Sequence, residues 1–286
     1  MKIVNTTGGF DAKISVADAV RLNCEAGFEG IDLSMAKVFY EDGYKSLVRE
    51  IKDIADSYGV TFEQSHGPIR RIKILDVEPE DQYLFKARRC IEISGELGIK
   101  NMIIHPMRLA PGNHEDQLAY NLELFNKIIP DAKAAGVRFA IENMCGYKED
   151  VDGKQVKHVC KTPEELAKYI DAFESEWITG CLDTGHARIS GESPAEFVRM
   201  LGGDRLSALH VQDCDGVGDL HTLPFLSKIE WLPFMDALAE VGYKGDITLE
   251  AVLFMKNMPI DLYPAAAKYM AEVARYLRDG VVAKMK

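Results

Sequence analysis

The stretch Leu206-Ser-Ala-Leu-His-Val-Gln-Asp-Cys-Asp-Gly-Val-Gly-Asp-Leu-His221 begins as a short apolar strand and runs into a loop rich in imidazole and carboxylate side chains. Burying such groups at the end of a strand costs free energy unless they are paired or bind a cation. Three other predicted strand ends have the same character: Ala140-Ile-Glu142, Cys181-Leu-Asp-Thr-Gly-His186 and Thr248-Leu-Glu250. The sequence therefore predicts a scaffold that gathers these ends around divalent metal.

Around these ends, short β-branched or apolar runs alternate with longer amphipathic stretches along the whole chain. Eight strands alternating with eight helices, without a proline- or serine-rich linker, are typical of a single (β/α)8 barrel, here spanning residues 1–286. A doubly wound open sheet is the alternative α/β fold. The predicted strands are Lys2–Thr7, Gly30–Met35, Val60–His66, Asn101–Met107, Arg138–Met144, Thr179–Asp183, Leu206–Gln212 and Asp246–Ala251. The predicted helices lie near Ser15–Ala26, Tyr44–Tyr58, Glu78–Leu97, Glu115–Ala135, Pro163–Phe173, Pro194–Leu201, Leu232–Val241 and Leu262–Leu277.

Composition limits the classes of partner. The chain has 286 residues, 47% of them hydrophobic, and a formal net charge of −11. Nucleic acids and anionic membranes recruit lysine and arginine, so we expect neither as a partner. No apolar run resembles a membrane span or a signal peptide, and we therefore expect a cytoplasmic protein.

Local patterns add smaller predictions. The six cysteines show no Cys-x-x-Cys pair. Cys145 and Cys160 could bridge in an oxidising compartment, although reduced thiols fit a chain without an export signal better. They flank the longest polar insertion, Cys145–Lys161, which is either a solvated excursion or a lid over the site. Thr162-Pro-Glu-Glu165 and Ser193-Pro-Ala-Glu196 are typical of capping boxes with proline at the first helical position.

Ionisable residues collect where a barrel of this kind has its active site, at the carboxyl ends of the strands. Five of the seven histidines fall at or just past a predicted strand end or in the loop after the seventh strand. Each such residue alone is more often a hydrogen-bonded structural group than a ligand, so only their coincidence indicates a site. The residues at strand ends are His66, His105, Glu142, Asp183, His186, His210 and Glu250.

Four of these residues would offer three carboxylates and one imidazole from four consecutive strands: Glu142, Asp183, His210 and Glu250. Three neighbouring carboxylates would not all stay ionised without a cation. Oxygen and nitrogen ligands without a thiolate suit Mn²⁺, Zn²⁺, Co²⁺ or Mg²⁺ and disfavour a soft-metal site. The chain has neither a dinucleotide fingerprint nor a P-loop, so we expect no nucleotide cofactor. Arg108 and Arg188 could grip a phosphate or carboxylate on the substrate, although solvated surface arginine is the simpler interpretation.

Taken together, four pieces of sequence resemble the xylose isomerase-like TIM barrel superfamily: Ile-Glu-Asn143, Leu-Asp-Thr-Gly-His186, Leu-His-Val-Gln-Asp213 with Asp-Gly216, and Thr-Leu-Glu250. The resemblance covers essentially the whole chain. That superfamily includes sugar isomerases, ketose 3-epimerases, inosose dehydratases and endonuclease IV. The resemblance implies that Glu142, Asp183, His210 and Glu250 bind one divalent metal.

The resemblance also implies roles in catalysis and substrate binding. In the isomerase and epimerase branch, glutamates at positions like Glu142 and Glu250 face opposite sides of the substrate. One removes the proton next to a carbonyl and the other returns it, while metal stabilises the enediolate. His186 is similar to a histidine that contacts a substrate oxygen. Further candidates for substrate binding are His66, His105, Arg188 and Arg108.

A second branch of the superfamily gives the competing interpretation. With the residues above, His66, His105, His186, Asp219 and His221 resemble the nine-ligand, three-zinc set of endonuclease IV, and are candidates for additional metal. The surrounding sequence differs from that of endonuclease IV. This chain has His-Val-Gln-Asp-Cys-Asp215 where the endonuclease IV motif is His-x-Asn-Asp-Ser-Lys. The acidic balance is also unlike that of a protein that grips DNA phosphates. One departure from the sugar enzymes is Lys228, where relatives often have glycine.

These patterns predict a metal-dependent sugar, sugar phosphate or polyol isomerase or epimerase of carbohydrate metabolism. Its partner would be a small sugar or sugar-derived substrate, and a homo-oligomer is compatible with the resembled branch. A dehydratase or lyase of the same superfamily is a closely related alternative, since its reaction also includes abstraction of a proton next to a carbonyl. The alternatives from other classes are a three-zinc phosphodiesterase and a non-catalytic sugar-binding relative.

Overall fold

A computed structural model describes residues 1–10, 13–69, 72–73, 76–107, 114–145, 147–149, 155–157 and 159–285. Eight parallel strands form one sheet, and each coincides with a predicted strand apart from a few residues at the ends. The predicted (β/α)8 architecture is therefore confirmed. The strands are β1 (Ile3–Thr6), β2 (Gly30–Ser34), β3 (Thr61–His66), β4 (Asn101–Ile104), β5 (Arg138–Glu142), β6 (Ile178–Asp183), β7 (Leu206–His210) and β8 (Ile247–Leu249).

The sheet curls into a nearly closed barrel. Neighbouring strands follow the order β7-β6-β5-β4-β3-β2-β1-β8, so that the last strand pairs with the first. The seam between β7 and β8 is joined just past the end of β7, where Val211 N donates to Thr248 O at 2.8 Å and Glu250 N donates to Val211 O at 3.0 Å. The alternative of an open doubly wound sheet is therefore wrong. All eight carboxyl ends lie at the same mouth of the barrel.

Helices connect the strands and cover the outside of the barrel. The predictions for Tyr44–Tyr58 and Pro194–Leu201 agree with the structure at both ends. The α-helices of the described chain are α1 (Val16–Ala26), α2 (Tyr44–Tyr58), α3 (Glu80–Glu96), α4 (His114–Asn126), α5 (Ile129–Ala135), α6 (Pro163–Ala172), α7 (Thr184–Ile189), α8 (Pro194–Leu201), α9 (Trp231–Glu240) and α10 (Tyr263–Lys284). No described helix combines the length and apolarity needed to cross a bilayer.

Several element boundaries differ from the predictions. The predicted helix Glu115–Ala135 is two helices, because Pro130 starts a new first turn at α5 and cannot donate to a preceding one. The last helix continues to Lys284 rather than ending at Leu277. Helix α7 was not predicted; the Asp183 side chain caps it by accepting from His186 N at 2.6 Å.

The two predicted capping boxes have different outcomes. Thr162 Oγ1 accepts from Glu165 N at 3.3 Å, and the Glu165 carboxylate accepts in return from Lys161 N at 2.9 Å. The Ser193 side chain makes no capping hydrogen bond to α8, so the capping box predicted at Ser193-Pro-Ala-Glu196 is wrong. The Glu196 carboxylate accepts from Arg199 Nη1 at 2.6 Å instead, one turn along the same helix.

Two short antiparallel pairs lie outside the barrel sheet. Ile72–Lys73 pairs with Asp76–Val77, and Tyr147–Glu149 pairs with Gln155–Lys157. The second pair falls inside the insertion Cys145–Lys161, and much of the rest of that insertion lies outside the described residues. The lid interpretation therefore stays a prediction. Cys145 and Cys160 are both free cysteines.

The barrel interior is built in layers. Ile103, Ala140, Cys181 and Ala208 form a buried cluster separate from the apolar core that the helices cover. In a strand, residues two apart point to the same face. The residues two positions further along β5, β6 and β7 are Glu142, Asp183 and His210, and His105 follows β4 in the same way. The ionisable layer at the mouth therefore rests on an apolar floor.

Candidate metal centre

The four residues predicted as metal ligands lie together at the barrel mouth. Glu142, Asp183, His210 and Glu250 each offer one ligand atom, and all four atoms lie within 4.8 Å of one another. His210 Nδ1 lies 3.1 Å from Glu142 Oε1 and 3.4 Å from Glu250 Oε2. Three of the four side chains are fully buried, and that of Glu250 is 13% exposed. A buried set of three carboxylates and one imidazole has the ligand chemistry of a divalent-cation site.

The two glutamates of this cluster have opposite pKa shifts. Burial opposes ionisation of Glu142, but the neighbouring His210 and His105 hold its pKa well below the usual value. Burial raises the pKa of Glu250 to about 8, with the charges of Glu142 and Asp183 adding to the effect. One carboxyl is therefore ionised and the other protonated near neutral pH when no cation is bound.

Asp32 on β2 lies next to this cluster, against His210, and was not among the predicted site residues. Its side chain is fully buried, and neither carboxylate oxygen has a hydrogen-bond partner. Its Oδ2 atom lies 3.5 Å from His210 Nε2. A buried carboxylate needs a polar neighbour, and the imidazole edge of His210 is the one at hand. An Nε2–H on His210 would face Asp32 and leave Nδ1 free for a cation.

A second group extends the cluster toward β3 and β4. His66 Nε2 lies 3.2 Å from His105 Nε2, and His105 Nε2 lies 2.9 Å from Glu142 Oε2. Ligand atoms of His66, His105 and Glu142 all lie within 4.8 Å of one another. Burial and the neighbouring His105 lower the pKa of His66 to about 4, so its imidazole is neutral at neutral pH. A neutral imidazole can bind a cation or accept a hydrogen bond from a substrate hydroxyl.

A third group lies on the other side, around Asp219. The Oδ2 atom of Asp219 lies 3.5 Å from His186 Nε2 and 3.2 Å from His221 Nε2. The pKa of Asp219 is low despite partial burial, because both imidazoles interact with its carboxylate. Burial opposes charging of His221, but the hydrogen bond to Asp219 and the charge of Glu250 raise its pKa to about 10. All nine residues of the predicted extended set therefore converge on one mouth of the barrel.

Gln212 joins the first and third groups. Its Nε2 donates to Asp183 Oδ1 at 3.2 Å and to Asp219 Oδ1 at 3.0 Å. The amide passes directly against Gly185, where any added Cβ would collide with it. The glycine in Leu-Asp-Thr-Gly-His186 therefore makes room for this connection. The sequence pattern contained both residues, but only the folded chain shows why they occur together.

Asp213 organises the loop that follows β7. Its carboxylate accepts from four donors: Cys214 N at 2.8 Å, Ile229 N at 3.0 Å, Ser227 N at 3.1 Å and Trp231 Nε1 at 3.2 Å. Lys228, the departure noted in the sequence, fits this loop and donates its N–H to Cys214 O at 3.2 Å. The buried Asp213 carboxylate therefore holds the two ends of the loop together. Asp219 and His221 lie in the loop between these ends.

Two candidates from the sequence remain, Arg188 and Arg108. Arg188 lies on α7 with its side chain exposed, and Arg108 lies outside the described residues. Cys145 was missed as a site residue: its Sγ lies within 4.8 Å of ligand atoms of His186 and Asp219. The sequence signal that could have found it is its place three residues after Glu142, just past the same strand end.

Comparisons with known proteins agree with this architecture. The family model described as xylose isomerase-like TIM barrel matches residues 20–279. A fructoselysine 3-epimerase from Shigella flexneri is 24% identical over 258 residues, which cover 86% of this chain and 89% of that protein. A probable endonuclease 4 from Acholeplasma laidlawii is 27% identical over 154 residues, so the match spans about half of each protein, 50% and 49%. Among solved structures, a D-tagatose 3-epimerase-like protein superposes with a TM-score of 0.78 at 20% identity over 100% of both chains, which concerns the fold alone.

Proposed function

Because this chain belongs to the xylose isomerase-like TIM barrel family, we propose that it is a divalent-metal-dependent sugar isomerase or epimerase. The observation that supports the proposal best is the pair Glu142 and Glu250, whose carboxyl groups flank His210 in one buried cluster, at 3.1 Å and 3.4 Å from its Nδ1 atom. Proton abstraction next to a carbonyl and its return need two such groups. The substrate class would be a small sugar or sugar derivative, including sugar phosphates and polyol-derived ketones.

In this proposal Glu142, Asp183, His210 and Glu250 hold the cation. When bound, the cation supplies electrostatic stabilisation of the negative charge that develops on the substrate oxygens. One of the two glutamates accepts the proton from the carbon next to the carbonyl, and the other delivers a proton to the resulting enediolate. The buried cluster of Ile103, Ala140, Cys181 and Ala208 lies in the layer two residues before these ligands along the strands.

Neighbouring side chains would orient the substrate. His186 lies beside the metal cluster with Nδ1 donating to Asn143 O at 2.8 Å, and a substrate oxygen would share its Nε2 edge with Asp219, whose Oδ2 lies 3.5 Å away. His66 and His105 border the cluster on the other side, and the neutral imidazole of His66 offers a ring nitrogen. We assign Arg188 to the rim, where a phosphate or carboxylate of the substrate would reach it. Arg108 keeps the same predicted role, outside the described residues.

The alternative is a phosphodiesterase, and one specific observation favours it. The groups around His105 and Asp219 give this mouth more ligand-type side chains than a single cation needs. Two observations weigh for the sugar enzyme. The similarity to fructoselysine 3-epimerase extends over 86% of the chain, compared with 50% for endonuclease 4. The net charge of −11 also opposes binding of a polyanion.

Solvent proton exchange tests the proposal directly. Metal-free protein is loaded with Mn²⁺, Co²⁺, Mg²⁺ or Zn²⁺ and incubated in D₂O with a panel of ketoses, aldoses, their phosphates and 3-keto sugars. We expect deuterium at the carbon next to the carbonyl of one sugar, detected by NMR together with the new isomer. Glu142→Gln and Glu250→Gln should each reduce exchange by about 10³-fold or more, since each removes an acid–base group.

The matched control is Glu240→Gln, because Glu240 is a surface carboxylate that pairs with Arg199 outside the site. It should exchange at the wild-type rate. The outcome that contradicts the proposal is the absence of exchange with every sugar combined with metal-dependent cleavage of a duplex containing an abasic site. Wild-type exchange by Glu250→Gln would remove that residue from the mechanism.

A further inference from the structure

The end of the barrel opposite the metal cluster contains a cavity of about 400 Å³. Residues at the amino-terminal ends of β3, β4, β5, β7 and β8 line it, together with the loops that lead into β7 and β8. Most of the lining side chains are polar or charged, and the volume is in the range of sites for small molecules. This end of a barrel ordinarily contributes to stability alone, so a polar cavity there needs its own explanation.

The cavity lies over the seam between β7 and β8. In the described chain the backbone pairing across this seam begins only at Val211, toward the other end of the barrel. Two β7 carbonyls before that point accept from side chains of other strands: Leu209 O from Gln64 Nε2 and Ser207 O from Asn101 Nδ2, both at 3.4 Å. Side-chain amides therefore line the amino-terminal end of the seam, where no backbone ladder closes it.

Three basic side chains border this cavity: Lys100, Arg138 and Lys244. Among the described residues, none of the three forms an ion pair or a side-chain hydrogen bond. Lys100 acts on Glu63 only through space, and Arg138 is half-buried at the start of β5. Ammonium and guanidinium groups that share one cavity without a carboxylate partner attract an anion, and guanidinium matches the geometry of phosphate and carboxylate oxygens.

The carboxylates that also line the cavity interact with other groups. Glu63 Oε1 lies 2.5 Å from Lys2 Nζ, and Asp246 Oδ1 accepts from the backbone N–H of Lys2 at 2.5 Å. Asp204 is exposed at the edge of the cavity, beside Arg205. With Lys2 included, four basic and three acidic side chains lie around the cavity, and its formal charge is positive in a chain of net charge −11.

Asn101 adds a hydrogen-bond acceptor to the cavity. Its Oδ1 atom is buried and has no hydrogen-bond partner in the part of the chain that the structure describes. A buried acceptor without a donor costs free energy. A hydroxyl group of a molecule in the cavity would supply the missing donor.

We propose that this end of the barrel is a binding site for a small polyhydroxy anion, such as a sugar phosphate or a sugar acid. Arg138 and Lys244 bind the phosphate or carboxylate group, and Asn101 accepts a hydrogen bond from a hydroxyl. The site is at the opposite end of the strands from Glu142 and Glu250. The inference therefore goes beyond the proposed function, in which this ligand takes no part.

Calorimetric titration of full-length, Mg²⁺-loaded protein tests the inference. The probes are ribose 5-phosphate, gluconate and uncharged ribose. We expect saturable binding of at least one of the two anions, and binding of ribose that is weaker by about tenfold or more, because ribose lacks the charged group. The comparison of ribose 5-phosphate with gluconate distinguishes a phosphate site from a carboxylate site.

Matched variants locate the binding. Arg138→Gln and Lys244→Gln should each weaken it by about tenfold or more, because each removes a charge-assisted hydrogen bond to the anion. Lys133→Gln is the control for the loss of a positive charge, since Lys133 lies on α5 outside the cavity, and it should bind as wild type does. Glu250→Gln should also retain the binding, which separates this inference from the proposed function. Circular dichroism checks that each variant is folded.

Three results would overturn the inference. The first is wild-type protein that binds neither anion, or that binds ribose as tightly as it binds the anions. The second is undiminished binding by folded Arg138→Gln and Lys244→Gln protein. The third is binding that is lost in Glu250→Gln, because that result would place the anion at the metal cluster.

Discussion

At the scale of single residues, Asp32 is the side chain whose environment most needs an explanation. It is fully buried with no hydrogen-bond partner, and its nearest ionic neighbour is His210 Nε2 at 3.5 Å. We expect Asp32→Asn to lower cation affinity at the cluster of Glu142, Asp183, His210 and Glu250 by about 10- to 100-fold. The reason is that an imidazole ligand loses both orientation and basicity when its carboxylate partner is removed. Competition against a coloured chelator measures the affinity.

The control for this prediction is Asp236→Asn, which changes an exposed aspartate paired with Lys284 on the outer helices. It should leave cation affinity unchanged. An Asp32→Asn protein that melts at a lower temperature but binds cation as tightly as wild type would assign Asp32 a structural role alone.

A pH prediction also belongs to the residue scale. The folded chain holds the pKa of Glu250 at about 8, mainly through burial, above its ordinary value of 4.5. Between these values the unfolded chain loses this proton while the folded chain keeps it. The free energy of unfolding of metal-free protein should therefore fall as pH rises from about 5 to about 8. Glu250→Gln has no such proton to lose and should be less sensitive to pH by a few kcal/mol, on the order of the shift.

Urea unfolding of metal-free wild type and variant at several pH values measures this difference. The comparison between the two proteins cancels groups that titrate in both and do not interact with Glu250, such as His66, whose low pKa contributes with the opposite sign. Parallel pH profiles for the two proteins would contradict the prediction.

The site residues show where sequence reasoning succeeds and where it stops. Glu142, Asp183, His210 and Glu250 were predictable because barrel topology brings consecutive strand ends together, and each residue stands at such an end. Asp32 and Cys145 were not, because their roles depend on side chains from distant strands. Nothing in the sequence around Asp32 indicates that its side chain lies next to His210. Strand alternation indicates which face a residue occupies, but not which side chain it meets across the barrel.

At the scale of elements, the loop after β7 depends on Asp213. Its two carboxylate oxygens accept from four donors between Cys214 and Trp231. In Asp213→Asn one oxygen becomes an amide group that faces N–H donors. We expect a loss of about 2–3 kcal/mol in the free energy of unfolding, because buried donors lose their acceptor.

Asp215→Asn is the matched control in the same loop. Asp215 is closer to solvent and accepts only from Val217 N and Gly218 N, both at 2.9 Å. The Asp215→Asn substitution should lower the free energy of unfolding by less than about 1 kcal/mol, the contribution of an ordinary hydrogen bond. Urea titrations of the two variants side by side measure the difference, and equal losses would show that the loop does not depend on Asp213 in particular.

The elements also show which boundaries sequence patterns can predict. The run Tyr44–Tyr58 ends at Gly59, whose φ of 68° is the left-handed conformation that glycine adopts readily. Its boundaries were therefore predictable. Helix α7 was not, because its six residues have no room for an apolar period, and it is set by the Asp183 cap. Pro130 indicated a break between α4 and α5. The prediction missed it because the apolar pattern continues across that position.

At the scale of the whole molecule, the cation cluster connects four strands, β5 to β8. A cation bound to the folded state alone stabilises it by about 2.7 kcal/mol at a concentration 100 times the dissociation constant. For a chain of this size we expect saturating Mn²⁺, Co²⁺ or Zn²⁺ to raise the melting temperature of metal-free protein by roughly 5–10 °C. Differential scanning calorimetry with and without metal checks this. A chain that neither melts higher with any of these ions nor takes them up would contradict the metal assignment.

The alternation of side chains in the barrel strands has a consequence for how this protein can change over generations. Ile103, Ala140, Cys181 and Ala208 fill the floor, while the residues two positions further on carry the chemistry. A substitution in the upper layer therefore need not repack the side chain two residues before it in the same strand. A lineage of such barrels can acquire new substrates by altering the mouth while the same floor persists.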